Sequence, residues 1–136
     1  MATLPTPMPK TAEDVENYLI QLDRRYDNDA GTLLVSSSSG GPPIAIRVAP
    51  PIVAIRVFIG AIPDDTAHQV RLFRRLLEYN ATDLMHASYG VQQDGVVLAA
   101  ALELENLDKN ELEATLSDMD LALARHVSVL KDAAQA

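Results

Sequence analysis

The chain has 136 residues, no cysteine and a formal net charge of −8, which fits one domain with a real core. The acidic balance argues against nucleic acid or an anionic membrane as the main partner. Without cysteine there is no disulfide, thiol nucleophile or thiolate metal site. The sequence shows neither a basic-then-apolar leader nor an apolar run near ~18 residues, so the expected compartment is the cytoplasm, with no membrane partner.

Pro5, Pro7 and Pro9 keep residues 1–10 from forming a helix, and a flexible arm is expected there, ahead of a single domain over residues 11–132. Thr11, with Asp14 three residues on, makes a capping-box pattern. Val15, Tyr18, Leu19 and Leu22 then fall at i, i+3, i+4 and i+7, the apolar stripe of a helix. Glu13, Asp14 and Glu16 near its start, and Arg24 and Arg25 in its last turns, suit the helix dipole; residues 27–31 should end it. Residues 33–37 read as a short strand, followed by a Ser-Gly-Pro connection. Residues 44–48 and 52–59 read as two more strands, parted by Pro50 and Pro51. In the second, Val53, Ile55, Val57 and Ile59 share one face, while Ala54, Arg56 and Phe58 share the other.

Asp64 or Asp65 caps a helix expected to run to about Tyr79. Val70, Phe73 and Leu77 form its stripe, and Leu72 and Leu76 widen that stripe beyond what one core face needs. Residues 87–92 and 96–104 alternate in hydropathy around Asp94-Gly95, a pair suited to a type I′ turn with two positive φ angles. Asp108 and Glu111 repeat the capping pattern ahead of a last helix, where Leu112, Leu116, Met119, Leu123, Val127 and Leu130 track one face. The expected order is α-β-β-β-α-β-β-α: an α+β fold with helices packed on a mostly antiparallel sheet.

No constellation for catalysis, cofactor or metal binding stands out, and the chain is expected not to be an enzyme. His68, His86 and His126 fall on or near three different elements without an i, i+4 pair. The serine run lacks a strand–turn–helix elbow, and Gly40-Gly41 lacks the lysine and helix of a phosphate loop. Glu103, Glu105, Asp108 and Glu111 are explained by helix capping and dipole complementarity. Arg71, Arg74 and Arg75, with Arg24 and Arg25, could make an anion patch; pairing with the chain's many carboxylates is the plainer reading.

The leucine-rich helix from Arg71 to Asn80, the Asp94-Gly95 hairpin and the stretch from Glu105 to Leu112 resemble, in order and spacing, two related families. One is the YbjN-type family, described as sensory transduction regulators. The other is the class I type III secretion chaperones. The resemblance covers about half the chain and implies a secretion-chaperone-like fold. It also implies dimerisation through the second helix and neighbouring strands, and binding of a partner polypeptide rather than catalysis.

The resulting expectation is a homodimeric chaperone-like or adaptor protein that binds a segment of a client protein. The dimer interface is assigned to Val70, Leu72, Phe73, Leu76 and Leu77, since a symmetric dimer is the commonest way to cover a second apolar face. The client is assigned to the face bearing Ala45, Arg47, Ala54, Arg56 and Phe58. There the alanines admit close backbone approach, and the prolines suggest a position towards a sheet edge open to an added strand. The alternative is a small-molecule or anion-sensing domain that uses the arginines.

Overall fold

A computed structural model describes residues 10–38 and 40–135. The expected arm at residues 1–10 falls, except for Lys10, outside these residues. The chain orders as α1 (Ala12–Gln21), β1 (Tyr26–Asp29), β2 (Thr32–Val35), β3 (Ile44–Ala49), β4 (Ile52–Ala61), α2 (Thr66–Thr82), β5 (Ser88–Gln92), β6 (Gly95–Glu103) and α3 (Lys109–Ala134). The six strands form one antiparallel sheet in the order β1-β2-β3-β4-β6-β5.

This adds a strand to the expected order, because α1 stops earlier than its charge pattern suggested. The backbone N–H of Thr11 donates to the Asp14 carboxylate at 2.7 Å, which opens the helix. At its other end Asp23 turns left-handed, with φ 57°. The Asp23 N–H bonds the Ile20 carbonyl and the Arg24 N–H bonds the Leu19 carbonyl. That is a Schellman stop, so Arg24 and Arg25 lie beyond the helix rather than in its last turns. The freed residues pair as β1 with β2 across Ala30 and Gly31, both at positive φ (51° and 94°), the pattern of a type I′ turn.

The β5–β6 hairpin closes differently from the expectation. Gln92 pairs with Gly95, so the two turn residues are Gln93 and Asp94, and of these only Gln93 has positive φ, at 55°. Gly95 already belongs to β6.

The pleat sends Leu33, Val35, Ile44, Ile46, Val53, Ile55, Val57, Val96 and Leu98 to one face, where all are buried. Val15 and Leu19 of α1, Leu72 and Leu76 of α2, and the long inner stripe of α3 join them in one core. Leu116 and Met119 are fully buried within it. Asp65 caps α2 by accepting from the His68 N–H at 3.0 Å, and Asp108 caps α3 by accepting from the Glu111 N–H at 2.7 Å. α2 runs to Thr82, about a turn past the expected end at Tyr79.

Candidate partner-binding surface

The opposite face of the sheet is a continuous strip of small and projecting side chains. Strand register aligns Leu34, Ala45, Arg56, Ala99 and Ser88 in one row. Thr32, Arg47, Ala54 and Ala101 make a second row, and Phe58, Val97 and Gly90 a third. None of these residues is buried, and Phe58 is 61% exposed. The core draws nothing from this side.

All five residues assigned to the client, Ala45, Arg47, Ala54, Arg56 and Phe58, lie on this face. Their place in the sheet differs from the expectation. β3 and β4 are flanked on both sides by other strands, so the hairpin offers no edge for an added strand. Pro50 and Pro51 form its connecting turn, between Ala49 and Ile52, rather than marking a sheet edge. Arg56 is braced by donating from Nη1 to the Gln92 side-chain oxygen at 2.6 Å. The Phe58 ring lies against Gly95, where any Cβ would collide with it. An aromatic ring shielding a strand glycine is a recurrent device in sheets.

The five residues assigned to the dimer interface separate into two groups. Leu72 and Leu76 are 2% and 4% exposed and belong to the protein's own core. Val70 and Leu77 point outward, at 61% and 68% exposure, with Phe73 partly buried between them. The width of the stripe therefore has two causes, an inner face already covered and a narrower outer ridge. Arg74 and Arg75 flank that ridge and both reach Glu78, at 3.3 and 4.0 Å.

Polar groups on the inner stripe of α3 hold the other elements in place. Asp120, nearly buried, accepts from Arg24 Nη1 at 2.6 Å and from the Ser38 N–H at 3.4 Å. It thus ties the end of α1 and the β2–β3 connection to α3. Asp118 accepts from the backbone N–H groups of His86 and Ala87 at 2.9 and 3.0 Å. His126, 3% exposed, stacks on Tyr79 with ring centroids 3.6 Å apart. Its Nδ1 lies 2.8 Å from the Tyr89 hydroxyl and its Nε2 lies 2.9 Å from an Asp83 carboxylate oxygen. An ionised Asp83 can only accept, so Nε2 carries a proton, and in the neutral ring Nδ1 accepts from Tyr89. That N–H, together with the Thr82 hydroxyl, holds the Asp83 carboxyl below its ordinary range. Burial pushes the Tyr89 hydroxyl well above its usual value, which makes it a donor and not a nucleophile, although the Tyr-His-Asp order resembles a catalytic triad.

Asp120 was not singled out from the sequence, and His126 was weighed only as a metal ligand, yet a signal was present. Each sits three or four positions from Leu116, Leu123 or Leu130, inside the apolar stripe of α3. A titratable group at such a position is buried and needs partners. The three histidines lie apart: His68 pairs with its own helix cap Asp65, 2.5 Å away. Among the described residues no group of His, Cys, Asp or Glu is placed to hold a metal ion. No described helix is long and apolar enough to cross a membrane.

The fold is an α+β domain whose sheet has one helix-covered and one open face. Residues 8–136 match the CesT_Tir_1 model, and the chain belongs to this family of type III secretion chaperones. No curated relative matches the sequence. Among solved structures it is similar to a chain of the heterodimeric ExoU–SpcU complex from the type III secretion system of Pseudomonas aeruginosa. That match has a TM-score of 0.69 at 18% identity, covering 87% of this chain and 98% of the other. It is also similar to YbjN from E. coli, with a TM-score of 0.65 at 12% identity over 93% of this chain and 96% of that one. A third is the Yersinia pestis type III secretion chaperone SycH, solved with a stable fragment of YscM2, with a TM-score of 0.57 at 12% identity over 83% and 99% of the two chains. At these identities the likeness is one of fold, and it agrees with the antiparallel sheet and three helices described above.

Proposed function

We propose that the protein is a non-enzymatic, homodimeric chaperone-like adaptor that holds a segment of a client protein against the open face of its sheet. The observation that carries this reading is the strip of Ala45, Ala54, Ala99 and Ala101 between Arg47, Arg56 and Phe58. A face meant only for water usually carries longer polar side chains. Here small residues let a second backbone approach closely, Phe58 offers an exposed apolar anchor, and the arginines can meet client carboxylates or carbonyls. Membership of a secretion-chaperone family supports the reading, as do the ExoU–SpcU complex and the SycH structure with its YscM2 fragment. The dimer contact is assigned to the outer ridge of Val70, Phe73 and Leu77.

The test compares Ala54→Glu and Phe58→Asp with the wild type for client capture, melting temperature and solution mass. The proposal requires capture to be lost while fold and mass are kept. Unchanged capture would show the face to be plain surface, and loss of fold or mass would show it to be internal.

A further inference from the structure

The two ends of the sheet are finished differently. At the β1 end the strand carries Asp27 and Asp29, and a second copy brought against it would meet like charges. β5, at the other end, reads Ser-Tyr-Gly-Val-Gln and has no charge at all. Its outer edge is occupied instead. The Tyr89 N–H donates to Asn80 Oδ1 at 2.7 Å, and Asn80 Nδ2 donates to the Tyr89 carbonyl at 3.1 Å. The carboxamide thus meets one residue's N–H and C=O together, as the backbone of a neighbouring antiparallel strand would. One step along the same edge, the Ala87 N–H is taken by Asp118 at 3.0 Å. Val91, the next outward-facing position in the other direction, is 53% exposed.

We propose that Asn80 is a strand surrogate that keeps the β5 edge closed, and that the occupant it excludes is the β5 strand of a second copy. Two such strands pair antiparallel about Gly90, with no charge on either strand and only Gly90, Val91 and polar side chains of β5 to accommodate. Asn80 sits on the last turns of α2, and that end is held against α3 by the Tyr79–His126 stack and the His126–Asp83 bond. The lock is therefore carried by the core rather than by β5 itself. This inference is independent of the client face and of the α2 dimer ridge.

Amide hydrogen exchange on the intact wild-type chain tests the first half. The Tyr89 amide should be protected to within about tenfold of Leu98, its partner in the middle of the sheet. Free-chain exchange at Tyr89 would overturn the proposal whatever the variants do. Solution mass tests the second half. Asn80→Ala should double the mass at about 100 µM, relative to wild type in the native background and relative to Leu77→Glu alone when that change is added to remove the α2 ridge. Adding Val91→Lys, which places a charge on the edge, should restore the starting mass. An unchanged mass for Asn80→Ala, or a new species indifferent to Val91→Lys, would overturn it. If Asn80→Ala fails to fold, Asn80→Asp takes its place. It keeps the acceptor for the Tyr89 N–H and sets a carboxylate against the Tyr89 carbonyl, so it should show the same mass change more weakly; wild-type mass here would count against the proposal.

Discussion

Phe58 and Gly95 fit together as one unit, the ring of one filling the place where the other has no side chain. Because the ring is 61% exposed, it can swing out if the glycine acquires a methyl group. Gly95→Ala should therefore change stability by no more than about 1 kcal/mol, the entropy gained by removing a strand glycine offsetting lost contact. The Phe58 ring resonances should shift at the same time. A loss well above that figure in urea titration would show the ring to be fixed in place.

The core makes a harsher demand. Leu116 is fully buried at the centre of α3, with sheet and helices on every inward side. Leu116→Ala should cost about 2–5 kcal/mol, read from the denaturant midpoint at unchanged slope.

Asp120 is expected to behave as an anchor rather than a surface charge. Its side chain and that of Arg24 are 11% and 16% exposed. Asp120→Ala leaves the guanidinium and the Ser38 N–H without their acceptor. The loss should be about 2–4 kcal/mol, somewhat under that for a fully dry pair because the Arg24 side reaches water. Arg24→Ala should destabilise in the same direction, and the double variant should cost less than the sum, as measured by a double-mutant cycle.

Acid should find the Asp83–His126 contact. The Asp83 carboxyl is held below its ordinary value by the His126 N–H. A depressed carboxyl contributes stability that is fully present above its unfolded value and is lost as pH falls through the folded one. The wild type should therefore lose stability below about pH 4 more steeply than Asp83→Asn. Parallel urea titrations at pH 6 and pH 3 measure the difference, and identical slopes with pH would show that the contact carries no linkage.

The proposed dimer ridge has its own check. Leu77, 68% exposed, touches no part of the core, so Leu77→Glu should halve the mass seen by light scattering without moving the melting temperature by more than a few degrees. A wild-type chain that is already monomeric at high micromolar concentration would remove the dimer from the proposed function.

Most of the fold was legible in the sequence because period and punctuation agree there. Val53, Ile55 and Val57 alternate with Ala54, Arg56 and Phe58, and the register places the two sets on opposite faces. Asp65 and Asp108 cap the helices they precede. β1 was missed because Tyr-Asp-Asn-Asp has no apolar alternation. It is a strand through its turn and its partner, not through its own preferences. The Asp94-Gly95 pair was read as a turn on propensity alone, whereas Gly95 pairs with both Gln92 and Ala61 and so belongs to the strand. At the candidate surface, shared faces could be read from the pleat. Strand order could not, and it is the order that moves Ala45 and Ala54 from a supposed edge to the middle of the sheet. The partners of Asn80, Asp120 and His126 lie 9, 96 and 43 positions away in the chain, beyond the reach of any local pattern.

The placement of α3 bears on how the chain must be made. The first four strands are consecutive neighbours and can pair as they leave the ribosome, since each contact is local. β6 then inserts between β4 and β5, so the sheet is completed out of sequence order. The largest share of the cover on its apolar side comes last, with nine buried positions on α3. Until Leu130 has been synthesised, a nascent chain carries a formed meander whose apolar face is covered only in part, by α1 and α2. Ribosome-bound chains ending before residue 109 should accordingly be the ones that bind a general folding factor, and those that include the whole of α3 should be released from it.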